Sequence, residues 1–105
     1  MRLRDIYDTA VKAGMAADPR GEAGVLRVLE QAQKDHDALP EDRRWEFDLE
    51  ALTNPYADTR ILLGDPETDI GSMLVGIDME VQEVLLAETL RAKGRSVDML
   101  LAHHP

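Results

Sequence analysis

The order of apolar patterns along this chain predicts an α/β fold: N-terminal helices, then a small mixed three-stranded sheet containing one βαβ unit. Two observations carry that prediction. Through residue 58 the apolar positions recur at helical spacing, punctuated by Asp, Pro and Gly. After residue 58 short, nearly continuous apolar runs flank one long amphipathic stretch, in the order strand, strand, helix, strand. At 105 residues the chain has room for a single domain, mainly helical over 1–58 and carrying a β-β-α-β segment over 59–105.

"LRDIYDTAVKAG" places Leu3, Ile6, Tyr7, Ala10 and Val11 on one helix face, and Gly14 where a left-handed C-terminal cap is wanted. "ADPRGEAGVLRVLEQAQKDHDALP" opens a second helix with Asp18 as N-cap and Pro19 in the first helical position. Val25, Leu29, Ala32 and Leu39 line one side of it, and Pro40 stops it. His36 falls near this stripe with no second ligand at helical spacing, so it reads as a partly buried or surface histidine. In "EDRRWEFDLEALTNPYAD" one or two helical turns are expected, with Asp48 a possible cap and a loop at "TNPY". Trp45, Phe47, Leu49 and Leu52 are expected to anchor this stretch to the body, as core rather than as an aromatic cage.

"TRILLG" (59–64) is the first expected strand, "DPETDIG" (65–71) a solvated turn, and "SMLVGID" (72–78) the second strand. "MEVQEVLLAETLRAKG" (79–94) is a helix, with Asp78 a plausible N-cap, Val81, Val84, Leu85 and Leu90 inward, and Gly94 the stop. "VDMLLAHH" (97–104) is the third strand. A helix between the last two strands makes them parallel, and their continuous apolar character fits burial on both faces.

Composition excludes several function classes. There are 21 acidic against 12 basic residues, a net charge of −9. Binding to nucleic acid or an anionic membrane needs a basic footprint that this chain lacks, and "RRW" is too little to supply it. With no cysteine, a disulfide scaffold, a zinc ribbon and thiol catalysis are all excluded. The start "MRLRDIYD" carries charges throughout, unlike a signal peptide, and no apolar run approaches the roughly 18 residues that span a bilayer. The default address is the cytoplasm. "LLGDPETDIG" lacks the glycine spacing and lysine of a phosphate loop, "DPETD" lacks EF-hand spacing, and no serine stands in a nucleophile elbow.

One constellation remains. Asp78 ends one parallel strand and His103 and His104 end the next, so all three emerge at the carboxyl edge of the sheet, where open α/β sheets bind ligands. Neighbouring residues of a strand point to opposite faces. The two imidazoles therefore suit two metals a few ångströms apart, or one ligand with one orienting group. Pro105 holds His104 extended. Two imidazoles are not a complete shell, since zinc takes about four ligands. Asp78 is either a further carboxylate for the site or simply the cap of the following helix.

Residues 60–105 resemble the first part of the NIF-three-like family of dinuclear metal-centre proteins, also described as type 2 GTP cyclohydrolase I-like. The resemblance rests on three segments in order: "RILLGD" for a "GLLVGD"-type strand, "MLVGID" for a "VLVALD"-type strand, and "DMLLAHHP" for a "DLIIAHHP"-type strand. Residues 18–58 are longer than the linker usual there. The resemblance implies that His103 and His104 are ligands of a dinuclear divalent-metal site, with zinc, manganese, iron and magnesium not distinguished. It implies that an acidic residue and a His/Glu pair from downstream segments complete that site, so the chain corresponds to a truncated part of a longer fold. It also implies metal-assisted hydrolysis in the full-length protein, with this chain alone inactive, and ring-shaped homo-oligomers. The alternative is a non-catalytic, self-assembling interaction module, because the last strand leaves an apolar edge open to pairing.

Overall fold

The structure is a computed structural model in which residues 1–104 are described; the expected role of Pro105 lies outside them. Among the described residues three α-helices, two 3₁₀ helices and two strands follow in chain order. They are α1 (Leu3–Ala17), α2 (Gly21–Ala38), 3₁₀ helices at Glu41–Glu46 and Leu49–Leu52, β1 (Met73–Gly76), α3 (Val81–Ala92) and β2 (Met99–Ala102). The class is mixed α/β, as the sequence predicts. The chain divides into two compact units, one of residues 1–7 and 61–105, the other of residues 8–60, and α1 contributes to both.

In the first unit, β1 and β2 pair in parallel, with Met73 opposite Met99 and Gly76 opposite Ala102. The sheet has two strands among the described residues, not the expected three. Residues 59–64 form no strand, and Leu62 and Leu63 are exposed. The physical reason is where the next residues spend their backbone groups. The Pro66 and Thr68 carbonyls accept from the Arg4 and Leu3 amides, each at 2.9 Å, and Ile70 N–H donates to the Met1 carbonyl at 2.7 Å. A helix start has amides with no partner in its own helix, and the "DPETDI" turn supplies partners for α1. A strand forms only where a neighbouring strand takes up its backbone groups, and among the described residues the only strand pairing is that of β1 with β2. Arg2 and Arg4 both pair with Glu67 beside this cap.

α3 starts two residues later than expected. Its N-cap is Glu80, whose amide donates to the Glu83 carboxylate at 2.9 Å in a capping-box arrangement, so Asp78 does not cap it. Its end is as expected. Gly94 has φ +81°, Gly94 N–H donates to the Arg91 carbonyl and Arg95 N–H to the Leu90 carbonyl, the paired bonds of a Schellman stop. The facing of α3 differs from expectation. Ala87 is buried and Leu90 is half-buried, as expected of Leu90, whereas Val81, Val84 and Leu85 are 81%, 51% and 64% exposed. Periodicity locates a stripe but not what the stripe faces, and its first three members here face outward. The strands are likewise only partly covered, with Val75 60% exposed, rather than buried on both faces.

Asp98, just before β2, ties the starts of both strands together. It accepts from the Gly71 amide, the Ser72 amide and the Ser72 hydroxyl, at 3.0–3.1 Å. The Gly71 amide, then the Ser72 hydroxyl and amide, hold its carboxyl below the ordinary value of 3.8. A carboxyl depressed in the folded state contributes stability that is complete above its unfolded value and lost as pH falls through its folded value. Asp98→Asn is therefore expected to be less stable than wild type at pH 7, the gap narrowing below about pH 4. Urea unfolding at pH 7, 4 and 3 measures this; a gap that does not change with pH would show that the carboxylate charge is irrelevant.

In the second unit, α1 runs through Gly14 instead of stopping there. A Cβ at Gly14 would lie 3.1 Å from the Tyr56 ring, so the glycine makes room for that ring rather than capping the helix. The Tyr56 hydroxyl donates to Asp18 Oδ2 at 2.9 Å, and Arg20 reaches both Asp18 oxygens at 2.9 and 2.7 Å. Arg20, through its side chain and its amide, holds the Asp18 carboxyl far below the usual carboxylate range. Asp18 caps the turn before α2 instead of α2 itself, and Pro19 lies in that turn because the helix begins at Gly21.

α2 ends before Pro40, with Leu39 extended as a residue before proline must be. His36 is a half-buried neighbour of Phe47, ring centroids 5.2 Å apart, consistent with its reading as a structural histidine. The Asp48 side chain accepts from the Glu50 amide and caps Leu49–Leu52 as expected. Of the four expected anchors, Phe47 and Leu52 are half-buried, but Trp45 and Leu49 are 81% and 63% exposed. The anchoring is polar instead. Asn54 is 2% exposed, donating to the Thr59 carbonyl at 2.7 Å and accepting from the Tyr56 amide at 2.9 Å. Arg60 pairs with Asp48 at 2.7 Å and Glu50 at 3.1 Å.

Candidate functional site

The residues singled out by the sequence meet at the carboxyl edge of the β1–β2 pair. The ladder continues past both strands: His103 N–H donates to the Gly76 carbonyl at 3.0 Å and His104 N–H to the Ile77 carbonyl at 2.7 Å. Parallel register thus carries the last residues of β2 alongside the last residues of β1. The His104 imidazole and the Asp78 carboxylate end 3.1 Å apart, between Nδ1 and Oδ1. With Glu80 capping α3, Asp78 is left to the histidine. Both side chains are more than half exposed.

The two imidazoles are not splayed to opposite faces as strand alternation predicts. Their ring centroids lie 4.8 Å apart with planes tilted by 37°. β2 ends at Ala102 and the chain bends at His103, so the alternation that governs a strand no longer applies. The pair therefore presents two ring nitrogen systems side by side.

This donor set suits a divalent cation in kind. Imidazoles and a carboxylate bind zinc, manganese and iron, and a carboxylate on Nδ1 selects the tautomer whose Nε2 lone pair faces outward. In number the set is short. Among the described residues, no group of three or more His, Asp or Glu side chains is placed to hold a metal ion. His36 belongs to the other unit.

Sequence reasoning placed Asp78 near the histidines but left it divided between two roles. The signal that separates them is the Glu80/Glu83 pair in "EVQE", a capping spacing one turn into the helix. It missed Asp98, which stands at the amino edge of the same two strands and is structural.

Comparison of the chain with protein-family models, with curated proteins and with solved structures finds no match. Among the described residues no helix is long and apolar enough to cross a membrane.

Proposed function

We propose that this chain supplies part of a divalent-metal site, with His103 and His104 as ligands and Asp78 orienting His104. The observation that supports the reading most directly is the 3.1 Å contact between Asp78 and His104 Nδ1 beside a second imidazole. A carboxylate behind a histidine is the usual support for a metal-bound imidazole, because it holds the ring and raises the basicity of the opposite nitrogen. The likeness of "RILLGD", "MLVGID" and "DMLLAHHP" to the NIF-three-like strands supports the same assignment and adds that the site is dinuclear in a longer fold. In such a site the metals would lower the pKa of bound water for hydrolysis, possible only once further ligands complete the shell. Catalysis needs a preorganised, enclosed centre, and these side chains are exposed, so the chain alone is expected to be inactive. A cytoplasmic setting belongs to the same proposal.

Nuclear magnetic resonance of the histidine rings during zinc titration tests the metal reading. The His103 and His104 ring signals are expected to shift and to saturate only at high micromolar to millimolar zinc, while His36 stays in place. Asp78→Asn should weaken binding about tenfold, the lower end of the effect of removing an outer-shell partner. Silent rings at His103 and His104 would refute the metal role. Nanomolar binding lost in His103→Ala would show that the shell is already complete.

A further inference from the structure

We propose that Ser96 is a phosphorylation site whose phosphate opens the Asp98 clamp at the start of the β1–β2 pair. This is the amino edge of the two strands, opposite the histidine pair and independent of it. Of the two serines and five threonines in the chain, Ser96 alone has three basic residues among the five before it: Arg91, Lys93 and Arg95. In a chain of 21 acidic and 12 basic residues that run stands out. Basophilic serine/threonine kinases choose an acceptor by cations on its N-terminal side, since such charge patterns set kinase–substrate pairing.

The structure makes the hydroxyl reachable. Gly94 ends α3, and residues 95–98 lie in neither helix nor strand. Arg91, Lys93, Arg95 and Ser96 are all exposed. Such a segment enters a kinase cleft without breaking a ladder. Arg91 lies in the last turn of α3, the part of a helix that frays.

The same serine touches the group that joins the two strands. The Ser96 and Ser72 hydroxyl oxygens are 3.1 Å apart. The Ser72 hydroxyl is also 3.1 Å from Asp98 Oδ2, which accepts from the Gly71 and Ser72 amides as well. Transfer of the γ-phosphoryl group of ATP forms an O–P bond at Ser96 Oγ and breaks the bond to ADP, and the hydroxyl proton passes to the kinase's base. The product carries about −1.5 to −2 charge at pH 7 and three acceptor oxygens. Ser72 has one hydroxyl proton, which goes to the phosphate or to Asp98 but not to both. The two amides face the same choice, and the new charge repels the Asp98 carboxylate. Arg91, whose charge favours that carboxylate, gains a stronger partner in the phosphate.

Incubation of the whole native chain with magnesium ATP and a purified kinase selective for basic residues three and five before the acceptor, followed by mass spectrometry, tests the site. One phosphate at Ser96 is expected, absent in Ser96→Ala. Arg91→Ala with Lys93→Ala should slow incorporation at least tenfold with circular dichroism unchanged. Urea unfolding then compares the phosphorylated and unmodified chains. A like-charge pair a few ångströms apart near a surface is worth about tenfold in an equilibrium constant, and the folding constant is expected to fall by about that factor. In Asp98→Asn the same phosphate should change it less than about twofold, because the opposed charge is gone. Hydrogen exchange at the Gly71 and Ser72 amides should quicken on phosphorylation, a readout that needs no variant. No incorporation, phosphate elsewhere, labelling only after unfolding, or a rate indifferent to Arg91 and Lys93 would overturn the acceptor assignment. A phosphorylated chain with unchanged stability and unchanged exchange, or one destabilised equally in wild type and Asp98→Asn, would overturn the clamp.

Discussion

Replacing Asn54 with alanine is expected to lower stability by about 3 kcal/mol, which for a chain of this size lowers the melting temperature by roughly 10–20 °C. Asn54 is 2% exposed, and its amide group makes both halves of a clamp, donating to the Thr59 carbonyl and accepting from the Tyr56 amide. Alanine keeps the backbone bond from its own amide to the Glu50 carbonyl but orphans both loop partners. Each part-buried polar group left without a partner costs about 1–3 kcal/mol. The loop also positions Tyr56 for Asp18, so the loss should spread to the turn before α2. Asn54→Asp separates the two halves, keeping the acceptor while losing the donor and burying a charge. Thermal denaturation followed by circular dichroism measures both variants. A shift of under 2 °C for Asn54→Ala would mean that water replaces the side chain without cost.

Ile70→Ala is expected to cost about 3 kcal/mol, from the lost transfer of its side chain and the cavity left behind. Ile70 is 7% exposed, and its backbone is bonded to Met1 through both its N–H and its carbonyl. Its unit has few other buried apolar side chains to take up the loss. Val75→Ala is the matched control, because Val75 is 60% exposed and should lose less than about 1 kcal/mol. Urea unfolding of the two variants side by side gives the comparison. Equal losses would show that burial does not rank these positions correctly and that the unit's stability lies in its backbone bonds.

The candidate site was more legible than the sheet that carries it. A strand, a helix and a second strand in sequence imply parallel pairing whatever the rest of the fold does. That alone brings Asp78 and His104 to one edge, and they lie 3.1 Å apart. The role of Asp78 was not legible, because a residue before a helix is a cap unless something else caps the helix, and Glu80 does so. The splay of the histidines was misread for a similar reason. Alternation holds only inside a strand, and the strand ends one residue before the pair.

What the sequence by itself determined are the features set by a residue's own backbone preferences and near neighbours. Pro40 ends α2, Gly94 in the left-handed region ends α3, and Asp48 caps the short 3₁₀ helix. Chain order added the parallel pairing of β1 and β2. What only the tertiary structure decided is partnership. "TRILLG" has a strand's composition but joins no sheet, while the next residues hold the start of α1. Gly14 looks like a helix stop and is instead a seat for Tyr56. Val81, Val84 and Leu85 of α3 look inward by pattern, yet they face out. Periodicity and propensity report what a segment can offer, whereas a strand, a buried face and a close approach each need a second party, supplied by residues distant in the chain.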